Sequence, residues 1–225
     1  MATSGTYTFN MDVHAIIEKA HEKCGLELQT SEQLRSARTN LDLLLIRWIN
    51  DGVNLWTMDQ LEIPMTAGTQ SYTLDTKYVD ILDAVIRDSD NNDTSNYRIS
   101  LSEYLNRPSK DDTGKPIQHT LERNSTGGHT LYVWPTASDS TSYTFVAWAI
   151  RYIEDAGEYT DNIDIPKRFL PALIYGLAYE VAMDNPLKVD PVLRAEIKQG
   201  YIEAFASARM EDRERASLFI TPSAR

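Results

Sequence analysis

The sequence is poor in the features that mark disulfide-stabilised and membrane-spanning chains. Cys24 is the single cysteine, so no disulfide can form within the chain, and we expect it to be a small buried residue on a helix face. No apolar run approaches the roughly 20 residues of a membrane span. The first ten residues lack the basic and apolar regions of a secretory signal, so we expect no signal peptide.

Positive charge is also scarce. The chain has 22 lysines and arginines against 33 aspartates and glutamates, which gives a net charge of −11. The basic residues are scattered among acidic ones and form no patch of the kind that sequence-specific nucleic-acid binders carry. This balance favours solubility and argues against tight DNA binding, but it is compatible with a protein past which DNA slides.

Short catalytic and cofactor-binding motifs are missing as well. There is no phosphate-binding loop, nucleophile elbow, dinucleotide fingerprint or metal-ligand spacing of histidines. The acidic run 88–94 resembles the start of a calcium loop, but Asp93 and Ile99 stand where such a loop needs Gly and Glu. A second acidic run, residues 154–164, is interpreted as an exposed linker rather than as paired catalytic carboxylates. We therefore expect no enzyme activity, no metal and no cofactor.

Helical periodicity is present near the N-terminus. Apolar residues at helical spacing predict a helix over residues 11–24, capped by Asn10 and stopped by Gly25. A second helix begins at a capping box of Thr30 and Gln33 and ends near residues 51–52. Its second half is apolar nearly all round, which predicts a central, buried helix.

Two further helices are predicted near the C-terminus. The first starts at residues 164–166 and ends at residues 185–186, and the second starts at residues 190–191, each with a proline in its first turn. Their apolar faces need a partner, which the second N-terminal helix offers. The residues predicted to share one core are Leu41, Leu44, Trp48, Leu173, Leu177 and Ile197.

The middle of the chain carries the two-residue alternation of β-strands. Alternation on both sides of a turn at residues 66–69 predicts a β-hairpin over residues 61–74. Polar loops are expected at residues 88–96 and 108–116, and a short helix at residues 102–106. The other predicted strands are residues 78–86, a pair at 119–122 and 130–134, and residues 143–150.

Together these elements predict an α+β fold. Both chain ends form a helical bundle, with an inserted antiparallel β domain between them and an extended C-terminal tail. The predicted boundaries are residues 1–58 and 156–216 for the bundle, 59–155 for the β domain and 217–225 for the tail.

A series of segments, in order and spacing, resembles the head-to-tail adaptors of short-tailed bacteriophages, which are also called connectors or upper tail-tube gatekeepers. No single segment is diagnostic, and the likeness runs through most of the chain. The segments are residues 41–49, Val53-Asn54-Leu55-Trp56, residues 68–74, 78–86 and 99–104, Gly114-Lys115-Pro116, Leu131-Tyr132-Val133-Trp134-Pro135, residues 165–173 and 176–179, Asp212-Arg213-Glu214 and Ile220-Thr221-Pro222.

The resemblance implies a structural virion protein with no catalytic residues to assign. Relatives of this kind assemble as a ring, typically of twelve copies, below the portal protein and connect it to a tail nozzle or tail tube. Double-stranded DNA passes through without specific binding, and no membrane is involved. The implied location is the head–tail interface of the virion, after synthesis in the host cytoplasm. Two alternatives stay open: a tail-terminator or tail-tube structural protein, and a virion-associated cell-wall hydrolase.

The end of the chain provides candidate contact residues. The last helix loses its apolar face near Ala208, yet an apolar, β-favouring run follows, and Pro222 favours an extended path. The nine residues from Ser217 can reach about 30 Å. One alternative is that this run folds back onto its own helices. The predicted portal-docking residues are Leu218, Phe219, Ile220, Thr221 and Pro222, and the predicted inter-subunit or portal contacts are Arg209, Arg213 and Arg215.

Overall fold

The structure, a computed structural model, describes residue 5 and residues 9–53, 55–125, 128–138 and 142–211. It is a mixed α/β protein whose chain divides into two compact units. Residues 1–56 and 153–225 belong to the first, which we call the helical unit, and residues 57–152 form the second, the β unit. The predicted docking tail, residues 218–222, and both Arg213 and Arg215 lie outside the described residues.

The described residues contain helices and strands in the following order. The helices are α1 (Val13–Lys23), α2 (Ser31–Asn50), α3 (Leu101–Leu105), α4 (Leu170–Asp184) and α5 (Pro191–Glu211). The strands are β1 (Met58–Pro64), β2 (Ser71–Thr73), β3 (Tyr78–Arg87), β4 (Asp93–Arg98), β5 (Thr113–Gly114), β6 (Gln118–Glu122), β7 (Thr130–Trp134), β8 (Thr136–Ala137) and β9 (Thr144–Arg151).

Local signals in the sequence account for most helix ends. The capping box of α2 is present, with Thr30 Oγ1 accepting from the Gln33 backbone nitrogen at 3.2 Å and Gln33 Oε1 accepting from the Thr30 nitrogen at 3.1 Å. Gly25 follows α1 with a φ of 67°, a left-handed conformation that glycine adopts without a Cβ clash. Both predictions are confirmed.

The predicted cap of α1 is wrong. Asp12, and not Asn10, is the N-cap, and its Oδ1 accepts a hydrogen bond from the Ala15 nitrogen at 2.7 Å. The Asn10 side chain accepts from the neighbouring Met11 nitrogen instead. The reason is spacing, since a capping oxygen has to reach an N–H two or three residues further on, inside the first turn.

A single apolar core holds the four helices of the helical unit together. Trp48 on α2 is fully buried, and its ring centroid lies 5.5 Å from that of Phe169 and 5.4 Å from that of Phe205 on α5. The prediction of a shared core is confirmed, because this cluster includes Leu41, Leu44, Trp48, Leu173, Leu177 and Ile197.

Two glycines allow α4 to pack closely against its neighbours. A Cβ on Gly176 would lie 2.7 Å from Cδ2 of Leu44 and 3.0 Å from the Tyr201 ring. A Cβ on Gly200 would lie 2.7 Å from the Tyr175 ring. All three distances are below ordinary van der Waals contact, so glycine at these positions lets α4 approach α5 and the Leu44 side chain closely.

The β unit contains a seven-stranded sheet in the order β1-β9-β3-β4-β6-β7-β2. The neighbours pair antiparallel except for β4 and β6, which are parallel over two residues. β6 and β7 form the predicted strand pair, with His119 opposite Val133. The fully buried residues Ile86, Leu131 and Phe145 lie in the core of this unit.

The predicted hairpin over residues 61–74 is wrong. All seven residues of β1 pair with β9, from Met58 opposite Ile150 to Pro64 opposite Thr144, whereas β2 pairs with β7. The turn after β1 is present, but the strand that follows it, β2, lies at the opposite edge of the seven-stranded sheet from β1. Apolar alternation predicts that a segment is a strand and which face it buries, but it does not identify the partner strand.

The polar segment 88–96 is only partly a loop. β3 and β4 are antiparallel neighbours joined by the turn at residues 88–92, and residues from Asp93 onward belong to β4. Asp93 lies opposite Arg87, and its carboxylate accepts from Arg87 Nε at 2.9 Å and Nη2 at 3.1 Å. A cross-strand ion pair therefore stabilises a strand whose composition gave no β signal.

Candidate interaction surfaces

A groove of about 210 Å³ lies among α1, α2 and the end of α4. Apolar and polar side chains line it, among them the carboxylates of Glu32 and Asp184, and we call it the acceptor groove. Asp184, the last residue of α4, accepts from Asn40 Nδ2 at 2.7 Å and lies 3.5 Å from Ser36 Oγ. The lining residues are His21, Glu32, Gln33, Ser36, Ala37, Val181, Asp184 and Asn185.

His21 gives this groove a buried polar wall. The residue is 3% exposed, and its Nδ1 lies 2.9 Å from the carbonyl oxygen of Ile17. A carbonyl oxygen only accepts, so Nδ1 donates this hydrogen bond.

A second groove, of about 240 Å³, lies on the sheet of the β unit. Trp148 on β9 is 52% exposed there, with Gln60 of β1 and Asp83 of β3 as its direct cross-strand neighbours. The ion pair of Arg87 and Asp93 closes one side. A tryptophan with this exposure supplies contact area for a partner.

A third groove, of about 290 Å³, lies where α4 and the start of α5 meet. Tyr179, Met183, Pro191 and Ala195 line it together with two cationic residues, Arg194 and Lys198. The turn between the two helices carries Leu187, which is 99% exposed. This end of the helical unit therefore presents apolar surface with positive charge beside it.

Carboxylates in both acidic segments accept hydrogen bonds from backbone nitrogens. Asp88 Oδ1 accepts from the backbone nitrogens of Asp90 and Asn92, and these bonds, that from Asn92 above all, lower the pKa of Asp88. Asp161 Oδ2 accepts from the Glu158 nitrogen at 2.8 Å. Over the described parts of the chain, no group of three or more His, Cys, Asp or Glu side chains could hold a metal ion.

His119 is a buried polar group of the β unit that lines none of the three grooves. Its Nδ1 is 2.7 Å from Asn96 Oδ1, and no described residue forms a hydrogen bond with its Nε2. Burial, with a smaller contribution from the charge of Arg98, lowers the pKa of His119 to about 4. The neutral ring also makes an edge contact with Phe145, so the residue serves the core.

Of the residues predicted from the sequence as contacts, Arg209 is the one described. It is exposed on the last turn of α5, and its guanidinium lies 5.8 Å from the Phe205 ring centroid. Sequence reasoning missed the three grooves because each draws residues from separate elements. The available signal was local: Glu32 and Ser36 are four apart on one exposed helix face.

The described surfaces of the helical unit and of the β unit carry open grooves, a feature of proteins that contact partners. In a comparison with known families, the SU10 adaptor protein family matches residues 25–224. The chain belongs to this family, and its resemblance to phage head-to-tail adaptors is confirmed. It is a structural adaptor protein of a bacteriophage. No curated protein matches the chain significantly. Among the described helices, none has both the length and the apolar character of a membrane span.

Proposed function

We propose that this chain assembles as a ring of twelve copies beneath the portal of a short-tailed phage and connects the portal to the tail nozzle or tail tube. The observation that carries the proposal is the family match, which spans residues 25–224 and so covers the β unit and most of the helical unit. An adaptor in a closed ring needs separate surfaces for the portal, the tail and the neighbouring copy. The three grooves support the proposal as candidate surfaces of this kind.

The proposed architecture is a helical bundle with an insertion. Both chain ends, residues 1–58 and 156–216, form the bundle, and residues 59–155 form the inserted, mainly antiparallel β domain. The division of the chain at residues 56–57 and 152–153 supports boundaries within a few residues of these. The burial of α2 against α4 and α5 in one core supports a bundle built from both ends.

The C-terminal residues are proposed to reach the portal. Leu218, Phe219 and Ile220 form an apolar run after a charged stretch, followed by Thr221 and Pro222. Such a run suits the addition of a strand to a sheet edge or the filling of a pocket on a partner. Arg209, Arg213 and Arg215 are proposed to contact a neighbouring copy or the portal.

The ring is proposed to line part of the DNA channel without holding the genome. Twelve copies multiply the net charge of −11 to about −130. Acidic surface repels phosphates, so DNA gains no counterion release by binding and can slide.

Electron microscopy of the purified full-length chain mixed with its portal tests the proposal. We expect a ring stacked on the portal at the end that faces the tail. A chain that binds isolated tail tubes and ignores portals would support a tail-terminator or tail-tube protein instead. Clearing of peptidoglycan in a zymogram would support a cell-wall hydrolase.

A further inference from the structure

One carboxylate of the β unit stands without a cation among neighbours that all have one. The four adjacent strands β1, β9, β3 and β4 contain five acidic residues, which are Asp59, Glu62, Asp80, Asp83 and Asp93. Four of the five form ion pairs with basic side chains, which are Lys77, Arg87, Arg98, Arg123 and Arg151. Asp83 is the exception, since no described residue forms an ion pair or a hydrogen bond with its side chain.

A β-bulge exposes Asp83 and separates it from the arginine of its own strand. The register of β3 against β9 shifts between Ile81 and Asp83, so Leu82 has no opposite residue. Ile81 and Ala84 are buried, whereas Leu82 and Asp83 between them are both exposed. Arg87 lies four residues further along β3, about 13 Å away at 3.3 Å per residue. It already pairs with two other carboxylates.

Trp148 lies directly opposite Asp83 on β9 and is also without a partner. Directly opposite residues have Cβ atoms about 4.5–5.5 Å apart, so the two side chains are immediate neighbours. The indole nitrogens of Trp48, Trp56 and Trp134 each donate a hydrogen bond, but no described residue accepts one from Trp148. With 52% of its surface exposed, the Trp148 ring is open to a ligand.

The other tryptophan of the β unit shows which kind of side chain covers such a ring. The guanidinium carbon of Arg107 lies 4.6 Å from the centroid of the Trp134 ring. A guanidinium is planar and stacks on an aromatic face, and its N–H groups can pair with a carboxylate at the same time. At Trp148 both the ring and the carboxylate are present, and no described cation lies over the ring.

Charge disfavours the other ligands that stack on tryptophan. The groove on the sheet of the β unit is lined by two carboxylates, those of Asp83 and Asp93, and by one guanidinium, that of Arg87, a formal net charge of −1. The phosphates of a nucleic acid would be repelled by this lining. A neutral sugar could stack on the ring, but it would leave Asp83 without a counter-charge.

We propose that Trp148 and Asp83 together bind an arginine side chain of a partner protein, with the guanidinium stacked on the indole and paired with the carboxylate. The inference rests on the proposed function and deepens it, because an adaptor in a ring contacts a portal, a tail protein and a neighbouring copy. Tryptophan and arginine are the residues that most often anchor protein interfaces. Trp148 supplies the contact area, and Asp83 selects for a cation.

Fluorine NMR of the full-length chain, labelled with 5-fluorotryptophan, tests the site without any partner. Trp148→Phe identifies the resonance of Trp148 among those of the four tryptophans. The probe is N-acetyl-arginine methylamide, and the neutral N-acetyl-citrulline methylamide is its control. We expect the arginine probe to shift the Trp148 resonance, and Asp83→Asn to weaken its binding about threefold or more. Asp90→Asn, in the exposed turn after β3, should leave binding unchanged. A resonance that stays in place, or that both probes shift equally, overturns the proposal.

Charge reversal tests the contact in the assembly. We expect Asp83→Arg and Trp148→Ala each to lower the yield of rings on the portal about tenfold or more, measured by electron microscopy and sedimentation. Asp90→Arg and Tyr97→Ala are the matched controls, since both residues are exposed and neither lines the groove. Variants that assemble like their controls overturn the partner contact. If the wild-type chain forms no ring, the proposed function fails, and the NMR titration decides whether the arginine site exists.

Discussion

The indole Nε1 of Trp48 donates a hydrogen bond to the phenol oxygen of Tyr201 across 3.0 Å, joining α2 to α5 inside the helical core. Both rings are largely buried, and burial raises the pKa of Tyr201. Tyr201→Phe removes the acceptor and leaves the indole N–H without a partner, so we expect a loss of about 1–3 kcal/mol in the free energy of unfolding. Urea unfolding measures this, with Tyr179→Phe as the control. An unchanged midpoint would show that water replaces the hydroxyl.

The shared core predicts large costs for truncating buried leucines. Leu44 and Leu177 have 2% and 0% of their surface exposed. Leu44→Ala and Leu177→Ala should each lower the free energy of unfolding by about 2–5 kcal/mol, because transfer free energy is lost and a cavity remains. Leu43→Ala is the control, since Leu43 is on the same helix but exposed. If both core variants melt like the wild-type chain, the single core is wrong.

The buried imidazole of His119 predicts a pH dependence of stability. Its pKa is about 4 when folded, against 6.5 for the free side chain. The unfolded chain therefore binds a proton as pH falls below 6.5 while the folded chain does not. The free energy of unfolding should therefore decline by up to about 1.4 kcal/mol per pH unit as the pH falls from 6.5 to 4.

Unfolding at several pH values tests this for the wild-type chain and for His119→Gln. Between pH 6.5 and 5, the free energy of unfolding of the variant should depend on pH much less than that of the wild-type chain. In this range Asp88, Asp93 and Glu103, whose pKa values are lowered, stay ionised in the folded chain. His14→Gln, at an exposed position of α1, is the control. A slope that survives in His119→Gln belongs to other groups.

Removal of the C-terminal run separates docking from folding. A chain ending at Ala216 lacks residues 218–222, and we expect it to keep the melting temperature of the full chain and to lose portal binding. Pull-down with portal rings and a thermal melt measure the two properties. Normal portal binding, or a chain that no longer folds, excludes the docking tail.

The acidic composition predicts weak DNA binding. At about 150 mM salt, where the Debye length is about 8 Å, we expect duplex DNA to show no binding at micromolar protein. Fluorescence anisotropy with a labelled duplex measures it, and a micromolar dissociation constant at that salt would contradict an acidic channel.

The accuracy of the sequence predictions depends on the range of the interactions involved. The cap of α2 and the left-handed Gly25 depend on residues within one turn, and both were predictable. The partner of β1 was not, because β9 lies about 85 residues later and nothing in the alternation of β1 specifies it. Asp12 was missed because it competes with Asn10 two residues earlier, and spacing alone decides between them.

The candidate surfaces were less predictable than the fold. Arg209 was identified because the last helix loses its apolar face near Ala208, and it is exposed in the structure. The acceptor groove brings His21 beside Asp184, which lies 163 residues later, and only the packing of three helices creates that neighbourhood.

The pairing of β1 with β9 affects how the β unit can be exchanged between related proteins. Met58 faces Ile150 across the ladder, so the chain leaves the β unit beside the point at which it came in. A segment with adjacent ends can be lengthened, shortened or replaced as a block. The distance between its two ends stays at about one strand spacing, roughly 5 Å, so the rest of the chain need not move. Replacement of this sheet, with its exposed Trp148, as one block therefore leaves the two ends of the helical unit at the same spacing.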